Sequence, residues 1–415
     1  MDQVFVIVGG GVGGGTAALA LRAEGFEGRV VVVCEEPRAP YSKPPLSKGV
    51  LRGEEDASRT ALRPQKWFDD RKIELITGVA ATELDTDGHK VALSDGTQLG
   101  YDKLLLATGG RPRQLPGTSH LPGVFTLRTV EDSQAISARL TPGARVVVVG
   151  GGFIGAEVAA SATQLGCEVT VLEGLSTPLQ RVLPPVLGQI YMRMHRERGV
   201  TFLTDVASTD LEPDGDGIIA HAASGEKYPA DVIVVGIGML PNDDLAVRAG
   251  LEVENGVVVD EQCRTSAPDV FAIGDIANSP NPILGERMRV EHWQNAQHQA
   301  KVAARNMLGG EDVFAEVPWV WSDQYELNIQ ITGRPLPTDT VHLRGDVDGW
   351  AFSAVLTREG VLCGAVSFNR TDDVRAVRKL MTERRVVPLE ALIDPDTDLT
   401  ALANDDTLPL RKDHA

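Results

Sequence analysis

The sequence predicts an α/β chain in which one strand–turn–helix–strand unit occurs twice, followed by a smaller α+β domain. Three observations carry this. Five apolar, β-prone residues, Val4-Phe5-Val6-Ile7-Val8, run straight into Gly9-Gly10-Gly11-Val12-Gly13-Gly14-Gly15. The arrangement returns at Val146-Val147-Val148-Val149-Gly150-Gly151-Gly152-Phe153-Ile154-Gly155. An Asp also leads a buried strand to a glycine twice, from Asp102 through Ala107-Thr108-Gly109 and from Asp231 through Gly236-Ile237-Gly238.

In the first copy Gly9, Gly11 and Gly14 fit the pattern G-x-G-x-x-G. The first glycine permits the turn, the second lets backbone approach a pyrophosphate, and the third packs helix on strand. Val12 and Gly13 stand inside this turn, and Thr16 to Leu21 is a good helix former whose first N–H groups face the phosphates. A second strand, Val30-Val31-Val32-Val33, leads to Glu35, 21 residues past Gly14, where an acid grips a ribose hydroxyl. In the second copy Gly150, Gly152 and Gly155 take the glycine positions, and the strand Glu168–Leu172 again ends in an acid, Glu173. Two copies matched at both ends mean two three-layer, Rossmann-like dinucleotide-binding domains in one chain.

The spacers read accordingly. Lys66 to Asp70 is helical before the strand Ile73–Ile76, and Leu84 to Leu99 is a hairpin with turns at Asp87-Gly88 and Asp95-Gly96. Arg111 to Gly117 leads out of the first domain, and Pro241-Asn242 marks the exit from the second. Val257–Asp260 and Val270–Asp275 are short strands, the second ending in Gly274-Asp275, and Arg289 to Trp293 opens a helix through Ala303. From about Val320 the composition changes. Trp350–Val355 and Val361–Phe368 form a hairpin around Arg358-Glu359-Gly360, and Asp372–Glu383 and Leu389–Ile393 read as helix. The tail with Lys412, Asp413 and His414 is expected to be disordered.

Composition excludes other classes. The 415 residues are 42% apolar and 24% charged, ordinary for a globular chain, and carry a net charge of −18. That argues against a nucleic-acid partner, which needs clustered Lys and Arg. Cys34, Cys167, Cys263 and Cys363 show no C-x-x-C or metal spacing, so reduced thiols in the cytoplasm are expected and dithiol chemistry is not. No His pair has metal-ligand spacing, and no serine stands in a G-x-S-x-G setting. The first strand begins at residue 4, which leaves no secretory leader, and no apolar run is long enough to span a membrane.

Tyr41-Ser42-Lys43-Pro44-Pro45-Leu46-Ser47-Lys48 resembles a segment of FAD-dependent, NADH-linked ferredoxin reductases, the group that serves cytochrome P450 and aromatic-ring dioxygenase systems. Further similar segments are Ala107-Thr108-Gly109, Leu127-Arg128-Thr129, Gly152 to Glu157, Gly274-Asp275 and Trp321-Ser322-Asp323-Gln324-Tyr325. The resemblance spans residues 4 to about 333 and implies that the first fingerprint holds FAD and the second NADH. It implies a discontinuous FAD domain, residues 1–112 and 242–320, with the NAD domain 113–241 inserted and a C-terminal domain from 321 to 415. Asp275 is then on the flavin's ribityl chain, and Lys43, Pro44, Arg128, Gly236, Gly238, Glu291, His292 and Trp293 join the cofactor-binding set.

Hydride transfer to a flavin builds negative charge on its ring, which a cation stabilises. Lys48 is the candidate, and the resemblance pairs it with Glu157. Spacing alone would leave them two unrelated charges. Trp293 and Trp321 either flank the flavin or pack at a domain interface. Arg375, Arg378, Lys379, Arg384 and Arg385 either dock an acidic ferredoxin or form a solvated helix face. The acceptor implied is a [2Fe–2S] ferredoxin, with the enzyme a monomer or weak homodimer. The alternatives on the same scaffold are an NADH oxidase, a rubredoxin reductase, or a redox-dependent binding protein similar to apoptosis-inducing factor.

Overall fold

The computed structural model describes residues 3–118 and 120–411, and Lys412, Asp413 and His414 lie outside them. The chain divides into two compact units. The first comprises Met1–Ser42, Ser58–Arg111 and Leu240–Glu316, and the second comprises Lys43–Ala57, Pro112–Met239 and Val317–Ala415.

The first unit is built on a parallel sheet of five strands in the order Val270–Ala272, Lys103–Leu106, Val4–Val8, Arg29–Cys34, Ile73–Thr77. Its central strands are apolar runs because both faces are covered. On one face the helices Val12–Ala23 and Trp293–Met307 bring Ala17, Leu21, Ala300 and Ala303 against Phe5 and Ile7. On the other, an antiparallel meander, Ala81–Asp85, Lys90–Leu93 and Gln98–Gly100, brings Leu84, Val91 and Leu99 against Val6, Val8 and Leu104. Alternation along each central strand therefore fills two cores at once.

The second unit repeats this plan. Its parallel sheet runs Thr201–Leu203, Glu168–Leu172, Arg145–Val149, Val232–Val235, Val124–Phe125. A second meander, Ser208–Asp214, Gly217–Ala222 and Lys227–Ala230, packs Leu211, Ile218 and Ala220 on Val147, Val149 and Ile233. Residues from Val317 onward add an antiparallel sheet ordered Trp319–Gln324, Leu327–Gly333, Val361–Phe368, Ala351–Arg358, Thr340–Asp346. The helix Pro185–Glu197 packs Leu187, Tyr191 and Met194 against Leu327, Ile329 and Phe352 of that sheet.

Several elements differ from the sequence reading. The helix expected to open at Arg289 opens at Trp293, because Arg289 closes the strand Glu286–Arg289, paired antiparallel with Ala277–Asn281. Glu291 and His292 thus precede the helix, with His292 at its N-cap. The segment Lys43–Ala57, read as part of the first domain, groups with the second unit. The C-terminal hairpin turns at Glu359 and Gly360, both at positive φ of 51° and 78°, as a two-residue turn between twisted strands requires.

Candidate functional site

In the first unit the glycine turn stands at the C-terminal edge of the parallel sheet. Gly9 donates to Val33 O at 2.9 Å and Ala107 to Val8 O at 2.8 Å, which sets Ala107, Thr108 and Gly109 beside the turn. Gly9 has φ +126°, and a Cβ there would lie 2.1 Å from Ala107 O. A Cβ on Gly14 would lie 2.0 Å from Gly9 O, whereas Gly11 has nothing within 4 Å. Gly9 and Gly14 are therefore glycine for packing, and Gly11 is glycine for open space. Gly11 caps the helix Val12–Ala23 with no side-chain acceptor, so the first-turn N–H groups of Val12 and Gly13 point toward that space. Glu35 is exposed one residue past its strand.

Gly274-Asp275 follows the neighbouring strand, Ile273 donating to Leu106 O at 3.0 Å. Gly274 has φ +73° and donates its N–H to the buried Gln299 Oε1 at 2.8 Å. Arg289 donates to Asp275 O at 2.9 Å and to Glu291 at 2.5 Å. Burial pushes the His292 imidazole down to about 4, against the nearby Asp275 carboxylate, which pulls it up. His292 Nδ1 and Gln294 Oε1 are buried polar atoms with no hydrogen-bond partner among the described residues.

In the second unit the same turn recurs. Gly150, at φ +103°, donates to Leu172 O at 2.8 Å, and a Cβ on Gly155 would lie 2.1 Å from Gly150 O. Gly236 donates to Val149 O at 2.8 Å, and Gly238 O accepts from Arg113 N at 2.8 Å. Gly152 caps the helix Phe153–Gln164, and a Cβ there would meet only Gly236 O, at 3.9 Å. Phe153 turns toward the core around Ala156 and Leu187, and Ile154 is 46% exposed. Glu173 is buried and accepts from Gly151 N and Leu175 N, both at 2.8 Å.

Lys48 and Glu157 meet in this unit. Lys48 follows the short 3-10 helix Pro44–Ser47, and Glu157 lies in the first turns of the helix Phe153–Gln164. Their charged atoms are 2.7 Å apart, with side chains only 14% and 5% exposed. The ammonium also donates to Pro44 O at 3.2 Å and Ser47 Oγ at 3.3 Å. The carboxylate accepts from Ser47 Oγ and Ser322 Oγ, each at 2.5 Å. A buried ion pair holds only when its remaining donors and acceptors are satisfied, and this one meets that condition. Ser47 and Ser322 went unassigned in the sequence because a serine in a loop or strand carries no chemical signature of its own.

Lys43 donates to Arg128 O at 3.2 Å, and Ser133 Oγ to Leu46 O at 2.7 Å, tying the Pro44-Pro45 segment to the helix Val130–Ser137. Trp321 stacks on Trp319 two residues away, ring centres 5.3 Å apart. The basic residues near the C-terminus are largely neutralised within their own domain. Arg375 pairs with Asp372 at 3.0 Å, Lys379 reaches Asn404 at 2.6 Å, and Arg385 pairs with Glu383 and Asp406, both at 3.1 Å. That pattern matches the solvated-face reading.

All four cysteines are free, and burial pushes the Cys34 thiol up to about 12. Among the described residues no helix is long and apolar enough to cross a membrane, and no His, Cys, Asp or Glu cluster has metal-holding geometry.

Two glycine turns at sheet edges, each opening a helix with bare N–H groups, define a class: an oxidoreductase scaffold for two dinucleotides. The chain belongs to the pyridine nucleotide-disulphide oxidoreductase family, whose model matches residues 3–300, and residues 319–403 match the C-terminal domain of reductases. It is 41% identical to the ferredoxin–NAD(+) reductase component of the anthranilate 1,2-dioxygenase system of Burkholderia cepacia, over 95% of this chain and 98% of that one. Rhodocoxin reductase of Rhodococcus erythropolis is 40% identical, over 95% of this chain and 93% of its own. Putidaredoxin reductase, in its covalent complex with putidaredoxin, matches the structure with a TM-score of 0.94 at 35% identity, covering 97% of this chain and 99% of that one. The chain is thus an enzyme that works with FAD and NADH. Its residues fit these groups. Gly11 and Gly152 leave room where a side chain would obstruct a pyrophosphate, and His292 Nδ1 and Gln294 Oε1 await polar partners.

Proposed function

We propose that this enzyme takes electrons from NADH and hands them to a small [2Fe–2S] ferredoxin serving a cytochrome P450 or a Rieske-type oxygenase. Bound FAD supplies the chemistry of accepting a hydride and releasing its electrons one at a time. The observation that carries this reading is the buried Lys48–Glu157 pair, 2.7 Å apart. A fixed cation held by three acceptors is preorganised to stabilise negative charge that builds during hydride transfer. Glu157 orients the ammonium, and Ser47 and Pro44 O remove its remaining freedom. In the first unit, Gly9, Gly11 and Gly14, with Glu35, Thr108 and Asp275, bind FAD. In the second, Gly150, Gly152 and Gly155, with Glu173, bind NADH.

Relatives named as ferredoxin reductases support the acceptor class. Free, mostly buried thiols are consistent with a cytoplasmic enzyme and offer no redox dithiol among the described residues. The test is stopped-flow reduction by NADH, followed by cytochrome c reduction with and without added [2Fe–2S] ferredoxin. Flavin bleaching by NADH and ferredoxin-dependent cytochrome c reduction are expected. Rapid cytochrome c or oxygen reduction that ferredoxin does not accelerate would sink the acceptor assignment. A single monomer or a concentration-dependent dimer is expected on size-exclusion chromatography.

A further inference from the structure

We propose that Ser322, on the strand Trp319–Gln324, is a positioning residue for the Lys48–Glu157 pair, with Gln324 and Tyr191 fixing the direction of its hydroxyl. The C-terminal domain thereby sets the geometry of a charge pair whose two members lie outside it. The proposal rests on the reading that this pair serves hydride transfer.

The hydrogen-bond accounting leaves one arrangement. Glu157 is 4% exposed, and an ionised carboxylate only accepts. Ser322 Oγ lies 2.5 Å from its Oε1, so the single hydroxyl hydrogen of Ser322 goes there. Gln324 Nε2 lies 2.9 Å from the same Oγ and must donate to it. Its other N–H reaches Tyr191 Oη at 2.5 Å. Tyr191 is fully buried, which pushes its phenol well above the usual range and keeps it neutral. The chain of donation runs from Gln324 to Ser322 to Glu157, with the Gln324 N–H on Oγ holding the Ser322 hydroxyl toward Glu157. Ser322 fixes Oε1 while Ser47 and Lys48 share Oε2, at 2.5 and 2.7 Å. With both oxygens fixed, the carboxylate plane is fixed, and with it the ammonium. Hydrogen bonds to charged groups inside a protein are among the strong ones, so removing one of three donors matters.

Ser322→Ala should slow flavin reduction at saturating NADH about tenfold, the effect of losing one charge-assisted hydrogen bond. NADH affinity should change less than about twofold, because the pair acts on charge that builds after binding. A second readout needs no turnover. The rate at which Lys48 is acylated, followed by peptide mass spectrometry, should rise several-fold in Ser322→Ala as the ammonium loosens. Lys103, ion-paired with Asp269 in the first unit, is the internal control and should label unchanged. Ser322→Thr keeps the hydroxyl and should restore both readouts. Gln324→Met keeps the volume, frees the Ser322 rotor, and should shift both the same way by less. Unchanged Lys48 labelling in Ser322→Ala, with or without a slower flavin reduction, overturns the positioning role. Faster labelling with an unchanged reduction rate upholds the positioning role and instead overturns the role given to Lys48 in hydride transfer.

Discussion

The two fingerprint copies share a frame down to individual hydrogen bonds, yet they are fitted out differently. In each, an Asp ahead of one strand accepts the N–H that starts the central strand: Asp102 from Val4 at 2.7 Å, Asp231 from Arg145 at 2.8 Å. In each, a five-stranded parallel sheet has helices on one face and an antiparallel meander on the other. The differences lie at two positions. Two residues past the third glycine, the first copy has Thr16 and the second the buried Glu157. At the end of the second strand, Glu35 is exposed, whereas Glu173 is buried and held by two backbone N–H groups. The frame is common to both copies, and what sets them apart is a few side chains at the sheet edge.

The largest break in this comparison should come at Lys48, the cation paired with Glu157 at the first of those positions. Lys48→Met should slow flavin reduction about a hundredfold, as loss of a preorganised charge does. It also leaves Glu157 buried without its cation, at a cost of about 3–5 kcal/mol, which a fall in Tm would reveal. Thr16→Val, at the place that matches Glu157 in the first copy, should cost under about 1 kcal/mol. Equal reduction rates in Lys48→Met and wild type would remove the pair from the mechanism.

The two open glycines should separate the cofactors. A Cβ at Gly11 meets nothing in the protein, so Gly11→Ala should fold and yet bind FAD at least about tenfold more weakly, read by flavin fluorescence on dilution. Gly152→Ala should keep its FAD and raise the KM for NADH by a similar factor. FAD loss from Gly152→Ala with retention in Gly11→Ala would reverse the assignment of the two copies.

Smaller is the effect at the second position. The wild type should favour NADH over NADPH by at least about tenfold in kcat/KM, since the Glu173 carboxylate repels a 2′-phosphate. Glu173→Ala should erode that preference. It also frees Gly151 N and Leu175 N, so a drop in Tm should accompany it. Equal use of both cofactors by the wild type would take Glu173 off the ribose.

The last effect is on acid stability. Burial holds the His195 imidazole down to about 3, where it stacks edge-on with Tyr191 and shares a hydrogen bond with Tyr325 at 2.9 Å. Folded His195 stays neutral while the unfolded chain takes a proton below its ordinary 6.5. Its contribution is therefore intact above that pH and declines as pH falls from there toward about 3, by up to about 1.4 kcal/mol per pH unit. His195→Phe should flatten the Tm profile between about pH 6.5 and 5, a window above most carboxylate titrations. An unchanged slope would move the acid sensitivity elsewhere.

Sequence alone determined the duplicated frame, because a buried parallel strand must be an unbroken apolar run and a turn at φ +126° must be glycine. It also determined the hairpin and the first two helices of the C-terminal domain, where period and turn residues agree, but not the short helix Leu399–Ala403. The second meander, Ser208–Ala230, was not legible, since its residues alternate less cleanly and Pro213 and Pro229 interrupt the strands. The start of the helix Trp293–Met307 was misread because Arg289 to His292 carries no capping residue to mark a boundary. Spacing alone did not join Lys48 and Glu157, 109 positions apart; the resemblance implied their pairing, and only tertiary structure showed that they share one buried site and that Ser322 completes it. A charge or a hydroxyl declares its chemistry in the sequence but not its partner. That partner is chosen by which strand ends and helix starts the packed sheets bring within about 3 Å.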